Sequence, residues 1–218
     1  TGDELVAAGE PVAAHQIRLS NGPAIEAALR ARRVSDVASL HLNDEPDALR
    51  RHLADIVTAA DITILSGGVS MGKADHVPAV LHDLGVREIF HRVSQRPGKP
   101  LWFGVSGNGA LVFGLPGNPV SALVGFRRYV VPAIERMAGL AEVTQERVIL
   151  ATDMSFAPAL TAFVPVTLSS GQGSAEALPV PFNTSGDFAS LAGTDGFVEL
   201  AKERSDFSRG EPVAFYRW

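Results

Sequence analysis

Three short loops rich in glycine, proline and serine most constrain how this chain can fold. Each follows an apolar run typical of a buried strand or precedes a helical pattern. Small residues at such junctions let the backbone approach a ligand, and free N–H groups there can face an anion. Successive turns of one α/β sheet bring such loops to a common crevice. The loops are Ser66-Gly67-Gly68-Val69-Ser70 with Gly72 and Asp75, Pro97-Gly98-Lys99-Pro100, and Leu115-Pro116-Gly117-Asn118-Pro119-Val120-Ser121.

Composition excludes several classes of protein. The chain has 218 residues, of which 46% are hydrophobic, so it can bury a full core and is unlike a disordered segment. Its net charge of −5 gives no sign of a nucleic-acid-binding surface. The absence of cysteine excludes disulfides and thiolate metal sites. No apolar run reaches the roughly 20 residues of a membrane span, and the start at Thr1 predicts a piece of a longer protein.

Alternation of strand, loop and helix predicts an α/β domain over residues 1–140 with a three-layer, mostly parallel sheet. Short β-branched runs such as Asp61–Leu65 and Ala110–Gly114 are typical of buried parallel strands. Further strands are predicted at Val37–Leu42, Val86–Val93 and Leu101–Val105. The predicted helices are Ala24–Arg33, Asp47–Ala60, Val77–Leu84 and a long one over Val120–Met137.

The pattern changes after residue 140, where short strands separated by turn residues predict a small all-β domain over residues 145–218. A module of that size is near the lower limit for independent stability. Its predicted strands are Arg147–Thr152, Ala162–Leu168, Ala175–Val180, Gly196–Ala201 and Pro212–Tyr216.

With these motifs in order, the chain resembles the C-terminal half of the molybdopterin molybdenumtransferases, the family of bacterial MoeA and the gephyrin E domain. The resemblance covers most of residues 1–140 and is weaker beyond residue 145. It rests on Thr1-Gly2-Asp3-Glu4-Leu5, Asn43-Asp44-Glu45-Pro46, Ser66 to Gly72 with Ala74-Asp75, Arg96 to Pro100, and Leu115 to Ala122.

The resemblance implies a MogA-like molybdopterin-binding domain and a role in molybdenum cofactor biosynthesis. The implied reaction takes adenylylated molybdopterin and molybdate, uses a divalent cation such as Mg²⁺, inserts molybdenum at the dithiolene and releases AMP. It also implies a cytoplasmic enzyme, a homodimer in the full-length parent, and two N-terminal domains that this chain lacks. Nearly every partner is anionic, which suits backbone N–H groups and cations at the three loops.

The first loop is predicted to bind the terminal phosphate of the pterin. Ser66, Gly67 and Gly68 offer a small hydroxyl and unobstructed N–H groups. The alternative is a tight turn that binds nothing; Gly72 and Asp75 downstream favour binding, and Ser70 is included with the substrate-binding residues.

A magnesium site is predicted from Glu4, Asp44 and Asp75, because two or three carboxylates beside phosphates form a site of hard oxygen ligands. Other interpretations stay open for each residue. Asp44 can cap a helix before Glu45-Pro46, Glu4 can be a solvated loop charge, and Asp75 can be a first-turn acid favoured by the helix dipole. The six histidines lack the spacing of metal ligands.

Cations around the second loop are predicted to hold phosphate or molybdate oxygens. Arg96 and Lys99 flank the Pro97-Gly98 turn, and Arg92 lies four residues earlier. The family usually has lysine where Arg92 and Arg96 stand, so the anion or its geometry is expected to differ. The alternative is three solvated cations on an edge strand. With Asp44 and Asp75, Arg96 and Lys99 form the predicted catalytic set.

The third loop is a rigid turn that opens a helix. Pro116, Gly117, Asn118 and Pro119 are predicted to contact the pterin together with Ser121, although a turn bonded only to itself is equally consistent with the sequence. In the β domain only Ser185 is carried over as substrate-binding. The arginines that usually flank the family's phenylalanine are absent around Phe163.

Two other functions fit the same residues. One is a pterin- or nucleotide-binding module without turnover, because the adenylylating partner enzyme and the competence-damage protein domain share the Ser-Gly-Gly loop. The other is a scaffold, as in gephyrin. The Pro97-to-Pro119 block and the β tail favour the transferase, and Asp44, Asp75 and Lys99 argue against pure scaffolding.

Overall fold

A computed structural model describes residues 1–70, 75–141, 144–157, 159–170, 173–180 and 188–218. The chain divides into two compact units, one of Thr1–Val93 with Pro100–Leu123 and one of Ser94–Lys99 with Val124–Trp218. Gly72 and Ser185, both predicted to bind substrate, lie outside the described residues. Within the described ranges, no helix has the length and apolar character needed to cross a bilayer.

The elements follow the chain in this order. The first stretch contains β1 (Leu5–Val6), β2 (Ile17–Arg18), α1 (Asn21–Ala31), α2 (Pro46–Ala59), β3 (Ile62–Ser66), α3 (Val77–Asp83), β4 (Arg87–His91), β5 (Gln95–Arg96), β6 (Trp102–Val105) and β7 (Leu111–Leu115). A long helix follows as α4 (Pro119–Gly125), a π-helical turn (Phe126–Val130) and α5 (Val131–Met137). The last stretch contains β8 (Arg147–Leu150), β9 (Met154–Ser155), β10 (Thr161–Ser170), β11 (Ala175–Pro179), a 3₁₀ turn (Phe188–Leu191), β12 (Gly196–Leu200), β13 (Asp206–Phe207) and β14 (Pro212–Arg217).

The main sheet of the first unit has the order β3-β7-β6-β4 and is mixed. β3 pairs with β7 in parallel, whereas β6 pairs antiparallel with both β7 and β4. The prediction of a mostly parallel sheet was therefore wrong. Parallel neighbours need a crossover of a dozen or more residues, and only the short turn Ser106–Ala110 joins β6 to β7, with Ser106 N–H donating to Ala110 O at 2.9 Å.

One predicted strand, Val37–Leu42, is irregular in the structure. Its alternation of apolar residues suggested a half-buried strand, but Leu40 is 65% exposed and Leu42 alone enters the core. A strand requires both a buried face and a hydrogen-bonding neighbour. The other predicted helices and strands occur within a few residues of their predicted bounds.

The second unit is built on a closed ring of five strands. Its sheet has the order β11-β8-β14-β12-β10-β5, and a further pairing of β11 with β10 closes the ring. β5 joins from outside the ring, because Gln95 and Arg96 pair in parallel with Thr161 and Ala162 of β10. The ring encloses an apolar core that includes Val148, Ala162, Val166, Val198 and Phe215.

Candidate functional site

Asn21, the first residue of α1, connects the first and third loops. Its Nδ2 group donates to Ser66 Oγ and to Gly117 O, each at 2.8 Å. Ser66 Oγ donates in turn to Pro116 O at 3.3 Å. A Cβ on Gly117 would lie 3.6 Å from the Cα of Gly67, so these two glycines lie close together. The structure therefore brings these two predicted binding loops together within the first unit.

The backbone after β3 presents a row of N–H groups. Gly67 N–H continues the β3–β7 ladder by donating to Leu115 O at 3.1 Å. Among the described residues, no group accepts from the N–H groups of Gly68, Val69 or Ser70. Gly67 and Gly68 have φ of 95° and 62°, a backbone that favours glycine. Neighbouring N–H groups without internal acceptors form the kind of donor set that binds a phosphate oxygen.

Two contacts hold the carbonyl side of this loop. His91, the last residue of β4, places its Nε2 3.0 Å from Val69 O, and because a carbonyl only accepts, Nε2 carries the proton. Val77 N–H donates to Gly68 O at 3.3 Å. The carbonyls of Gly68 and Val69 thus tether the loop to α3 and β4.

The third loop changes directly into helix. Pro116 is buried, whereas Gly117 and Asn118 are exposed. Asn118 O accepts from Ala122 N at 2.9 Å, which begins the first turn of α4. Ser121 in that turn is buried, and Pro119 is partly buried. Gly117 and Asn118 are therefore the accessible members of this loop.

The acidic residues form a cluster around Asp44. The helix cap is Glu45, whose carboxylate accepts from Asp47 N at 3.1 Å and Ala48 N at 2.8 Å, so Asp44 is not used as the cap of α2. Asp44 N instead donates to Asp3 Oδ1 at 3.3 Å. Burial and the carboxylates of Asp3 and Glu4 raise the pKa of Asp44.

Three-ligand metal sites are absent from the part of the chain that the structure describes. The proposed participation of Glu4, Asp44 and Asp75 in one magnesium site stays a prediction. Crowded carboxylates at Asp44 nevertheless fit a divalent cation, because the cation would neutralise their repulsion while water completes its coordination.

We expect Asp44→Asn to raise the melting temperature at neutral pH when no divalent cation is present. When folding raises the pKa of a carboxyl group, the folded protein is relatively more stable at pH values below the pKa of the unfolded state. This contribution to stability is lost as the pH rises through the pKa of the folded state. Solvent screens such repulsion, so the expected gain is about 1–2 °C at pH 7 and disappears near pH 3. Added Mg²⁺ should stabilise the wild type and leave Asp44→Asn unchanged, as measured by thermal melting.

The matched control is Asp36→Asn, which removes an exposed carboxylate outside the cluster. It should keep the full Mg²⁺ response. An equal response in Asp44→Asn and the wild type would remove Asp44 from the metal site.

Arg92 belongs to the first unit and has an unusual backbone. Its φ of 74° lies in the left-handed region, which costs a residue other than glycine about 1–2 kcal/mol. Its N–H donates to Leu101 O at 2.7 Å. Backbone strain of this kind concentrates at functional positions, and the side chain of Arg92 is exposed.

The Arg96–Lys99 loop belongs to the second unit. Pro97 and Gly98 are buried, and the side chains of Arg96 and Lys99 are exposed on either side of them. The Arg96–Pro97 peptide bond is cis. Neither cation, nor Arg92, forms an ion pair with any described residue.

In the second unit, Phe163 is part of an aromatic cluster and has no arginine beside it in the sequence. Phe163 is buried and packs edge-on against Phe197, with ring centroids 5.5 Å apart. Phe197 stacks on Tyr216 at 5.1 Å. Glu199 Oε2 accepts from Tyr216 Oη at 2.7 Å and from Arg128 Nε at 3.1 Å. These groups are internally paired and form a structural part of the unit.

The sequence analysis did not predict the contacts made by Asn21 and Asp3, nor those of Gln95, whose side chain bonds Pro97 O and Tyr129 Oη. Asn21 stands in Ser20-Asn21-Gly22, a group typical of helix starts, which is a signal for its position. Its partners are 45 and 96 residues away, so no local pattern indicates them. Asp3 adjoins the predicted Glu4 and is the carboxylate that bonds Asp44.

Comparison with known proteins gives the family. The model described as "Probable molybdopterin binding domain" matches residues 1–136, and the model described as "MoeA C-terminal region (domain IV)" matches residues 147–218. The chain belongs to the molybdopterin molybdenumtransferase family. The family recognised from the sequence motifs is thereby confirmed, with a MogA-like domain followed by a C-terminal domain.

Individual relatives agree with this assignment. The chain is similar to a molybdopterin molybdenumtransferase of Synechocystis sp., with 39% identity over 100% of this chain and 54% of the relative. A Haemophilus influenzae protein of the same name is 33% identical over 98% of this chain and 53% of its own length. The crystal structure of the molybdopterin biosynthesis protein MoeA from Pyrococcus horikoshii has a TM-score of 0.79 at 29% identity and covers 99% of this chain and 52% of its own. The chain therefore spans about half the length of the relatives that it matches.

Proposed function

We propose that this chain is part of an enzyme of molybdenum cofactor biosynthesis that inserts molybdenum into adenylylated molybdopterin. In the proposed reaction molybdate joins the dithiolene sulfurs, and AMP and water leave. The observation that carries the proposal is that the N–H groups of the partly exposed Gly68 and the exposed Ser70 have no acceptor among the described residues, in a loop that adjoins the Pro116-Gly117 turn. The shared name of the Synechocystis and Haemophilus relatives supports it.

The phosphate of the pterin would bind at the first loop. The N–H groups of Gly68, which is partly exposed, and Ser70, which is exposed, would donate to its oxygens, whereas Val69 between them is buried. The exposed Gly117 and Asn118 would contact the neighbouring part of the ligand. Ser66 and Asn21 act as tethers, since their polar groups are already bonded between the loops. The other residues proposed to bind substrate are Gly67, Gly72, Pro97, Gly98, Pro116, Pro119, Ser121 and Ser185.

Mg²⁺ would be held by Asp44, by Glu4 or Asp3, and by Asp75, with water as the remaining ligands. When bound, the ion draws charge from the phosphoanhydride oxygens and so favours departure of AMP. The protein's own part is to hold the carboxylates of Asp3, Glu4 and Asp44 near one another, and a bound cation would offset the repulsion that raises the pKa of Asp44.

Molybdate would be held by the cations of the second loop. Arg96 and Lys99 carry no counter-ion among the described residues, so their charge is available to an oxyanion. Arg92, in the first unit, is proposed separately as a substrate-binding residue. Charge-assisted hydrogen bonds of this kind contribute about 1.5–3 kcal/mol each, so loss of Lys99 should weaken anion binding about tenfold or more.

The proposal is tested by equilibrium binding of adenylylated molybdopterin to the chain, with and without Mg²⁺. Asp75→Asn should lose the Mg²⁺-dependent part of the affinity, about tenfold, because one anionic ligand of the ion is removed. Asp55→Asn is the matched control, since it removes an exposed carboxylate on α2. Thermal melting should show that both variants fold.

Each outcome separates the alternatives. Pterin binding that is insensitive to Mg²⁺ and to Asp75→Asn would favour a binding module without turnover. A folded chain that binds no pterin, followed by the same result for the full-length parent, would favour a scaffold. We further propose that the full-length parent is a cytoplasmic homodimer, which sedimentation of that protein and fractionation of cells would test.

A further inference from the structure

The backbone of the Arg96–Lys99 loop has little support from the sheet. Only two residues, Gln95 and Arg96, form β5, and they pair with Thr161 and Ala162 at the outside of the ring. Thr161 N–H also donates to Ser94 O at 3.0 Å. Beyond Arg96 the chain leaves the sheet, so something other than the ladder must fix the positions of Gly98 and Lys99.

The side chain of Gln95 supplies that support. Gln95 is 2% exposed, and its Nε2 donates to Pro97 O at 3.0 Å. Its Oε1 accepts from Tyr129 Oη. The orientation of the carboxamide follows from its partners, because Pro97 O can only accept. One buried amide thus bridges the carbonyl inside the loop and a tyrosine of the long helix.

Tyr129, which donates to Gln95 Oε1, lies in a helix and so gives the Gln95 side chain a fixed partner. It lies in the π-helical turn Phe126–Val130, a helical irregularity that is frequent at functional sites. The Arg128 guanidinium lies 5.5 Å from the centre of its ring. Burial raises the pKa of Tyr129, so its hydroxyl keeps the proton that it donates.

We propose that Gln95, held by Tyr129, is a positioning residue that sets the conformation of the Arg96–Lys99 loop and thereby its affinity for molybdate. The inference rests on the proposed function, in which Arg96 and Lys99 hold the oxyanion. Proline at positions 97 and 100 restricts φ on either side of Gly98-Lys99. The hydrogen bond from Gln95 to Pro97 O restricts the rest of the loop backbone. The exposed cations Arg96 and Lys99 are therefore held in one arrangement before the anion binds.

The test compares Gln95→Leu, Tyr129→Phe and Lys99→Ala, with inorganic molybdate as the probe in calorimetric titrations of the full chain. Gln95→Leu keeps the volume but loses both hydrogen bonds, and Tyr129→Phe leaves the bond to Pro97 O. We expect molybdate affinity to fall about tenfold in Gln95→Leu and less in Tyr129→Phe. Amide exchange at Gly98 and Lys99 should accelerate in the same order without any ligand, which is measured by NMR.

The double variant Gln95→Leu/Lys99→Ala separates positioning from general stability. If Gln95 acts by presenting Arg96 and Lys99 together, its effect on affinity should be clearly smaller once Lys99 is gone, whereas independent effects would add in full. Additive effects, or unchanged affinity in Gln95→Leu while Lys99→Ala binds weakly, would overturn the positioning role and leave the proposed function intact. Unchanged affinity in Lys99→Ala, or no molybdate binding by the wild type, would instead overturn the assignment of this loop to the anion.

Discussion

Gly68→Ala is expected to weaken binding of adenylylated molybdopterin by about tenfold or more, which is the loss of one or two charge-assisted hydrogen bonds. A Cβ at this position would lie 2.9 Å from Val77 Cγ2, and Val77 is 1% exposed at the start of α3. Valine is stiff about χ1 and cannot withdraw easily. The loop must therefore shift, and the N–H groups of Gly68, Val69 and Ser70 move with it.

The left-handed backbone at Gly68 adds about 1–2 kcal/mol of strain for any other residue. Gly68→Val should abolish binding altogether, because a branched side chain would collide with Val77 more severely and displace the loop further. The affinity is measured by equilibrium titration, and thermal melting shows how much protein remains folded.

Gly85→Ala is the control for strain alone. Gly85 has φ of 78°, and a Cβ there would meet nothing within 4 Å. This variant should lose stability by a similar 1–2 kcal/mol and keep the wild-type affinity. Equal affinity in Gly68→Ala and Gly85→Ala would show that the first loop does not contact the ligand.

Gly196→Ala is expected to destabilise the second unit by about 3 kcal/mol or more, at the upper end of the range for overpacking. Gly196 pairs with Arg217 of β14 and with Val166 of β10. A Cβ would lie 2.1 Å from Tyr216 O and 2.7 Å from the ring of Phe215. The carbonyl belongs to the neighbouring strand, so relief requires the ring of strands to separate locally.

Urea denaturation followed by circular dichroism measures this loss. Gly210→Ala is a matched control in the same unit, since Gly210 has φ of 85° and open space around it. It should lose only the strain energy of about 1–2 kcal/mol. A Gly196→Ala protein as stable as Gly210→Ala would contradict the close strand approach seen at Gly196.

Local patterns were sufficient for the family and for most helices and strands. The buried run at Asp61–Leu65 and the following glycines predicted both β3 and the turn after it, because apolar runs and left-handed positions are properties of adjacent residues. The direction of β6 depended on the length of one connection, Ser106–Ala110. That length could have been used to predict an antiparallel pair.

Contacts between residues that are far apart in the sequence could not be predicted from local sequence patterns. The interpretation of Asp44 as a cap was equally consistent with the sequence, and the structure gives that position to Glu45, one residue later. The sequence around Gln95 gives no sign that its side chain is buried, because that burial depends on Tyr129 and on β10, which are distant in the sequence. Such residues can be identified only when segments distant in the sequence are placed side by side.

The pairing of β5 with β10 also determines when the loop that carries Arg96 and Lys99 can fold during protein synthesis. Chains emerge from the ribosome N-terminus first, so Gln95 and Arg96 appear well before Thr161 and Ala162, the strand residues with which they pair. Contacts between residues so far apart along the chain form late, because a long loop must close first. The segment that carries Arg96 and Lys99 therefore stays without its neighbouring strand until β10 has left the ribosome. A chain truncated before Thr161 would contain both cations but not the strand that pairs with Gln95 and Arg96.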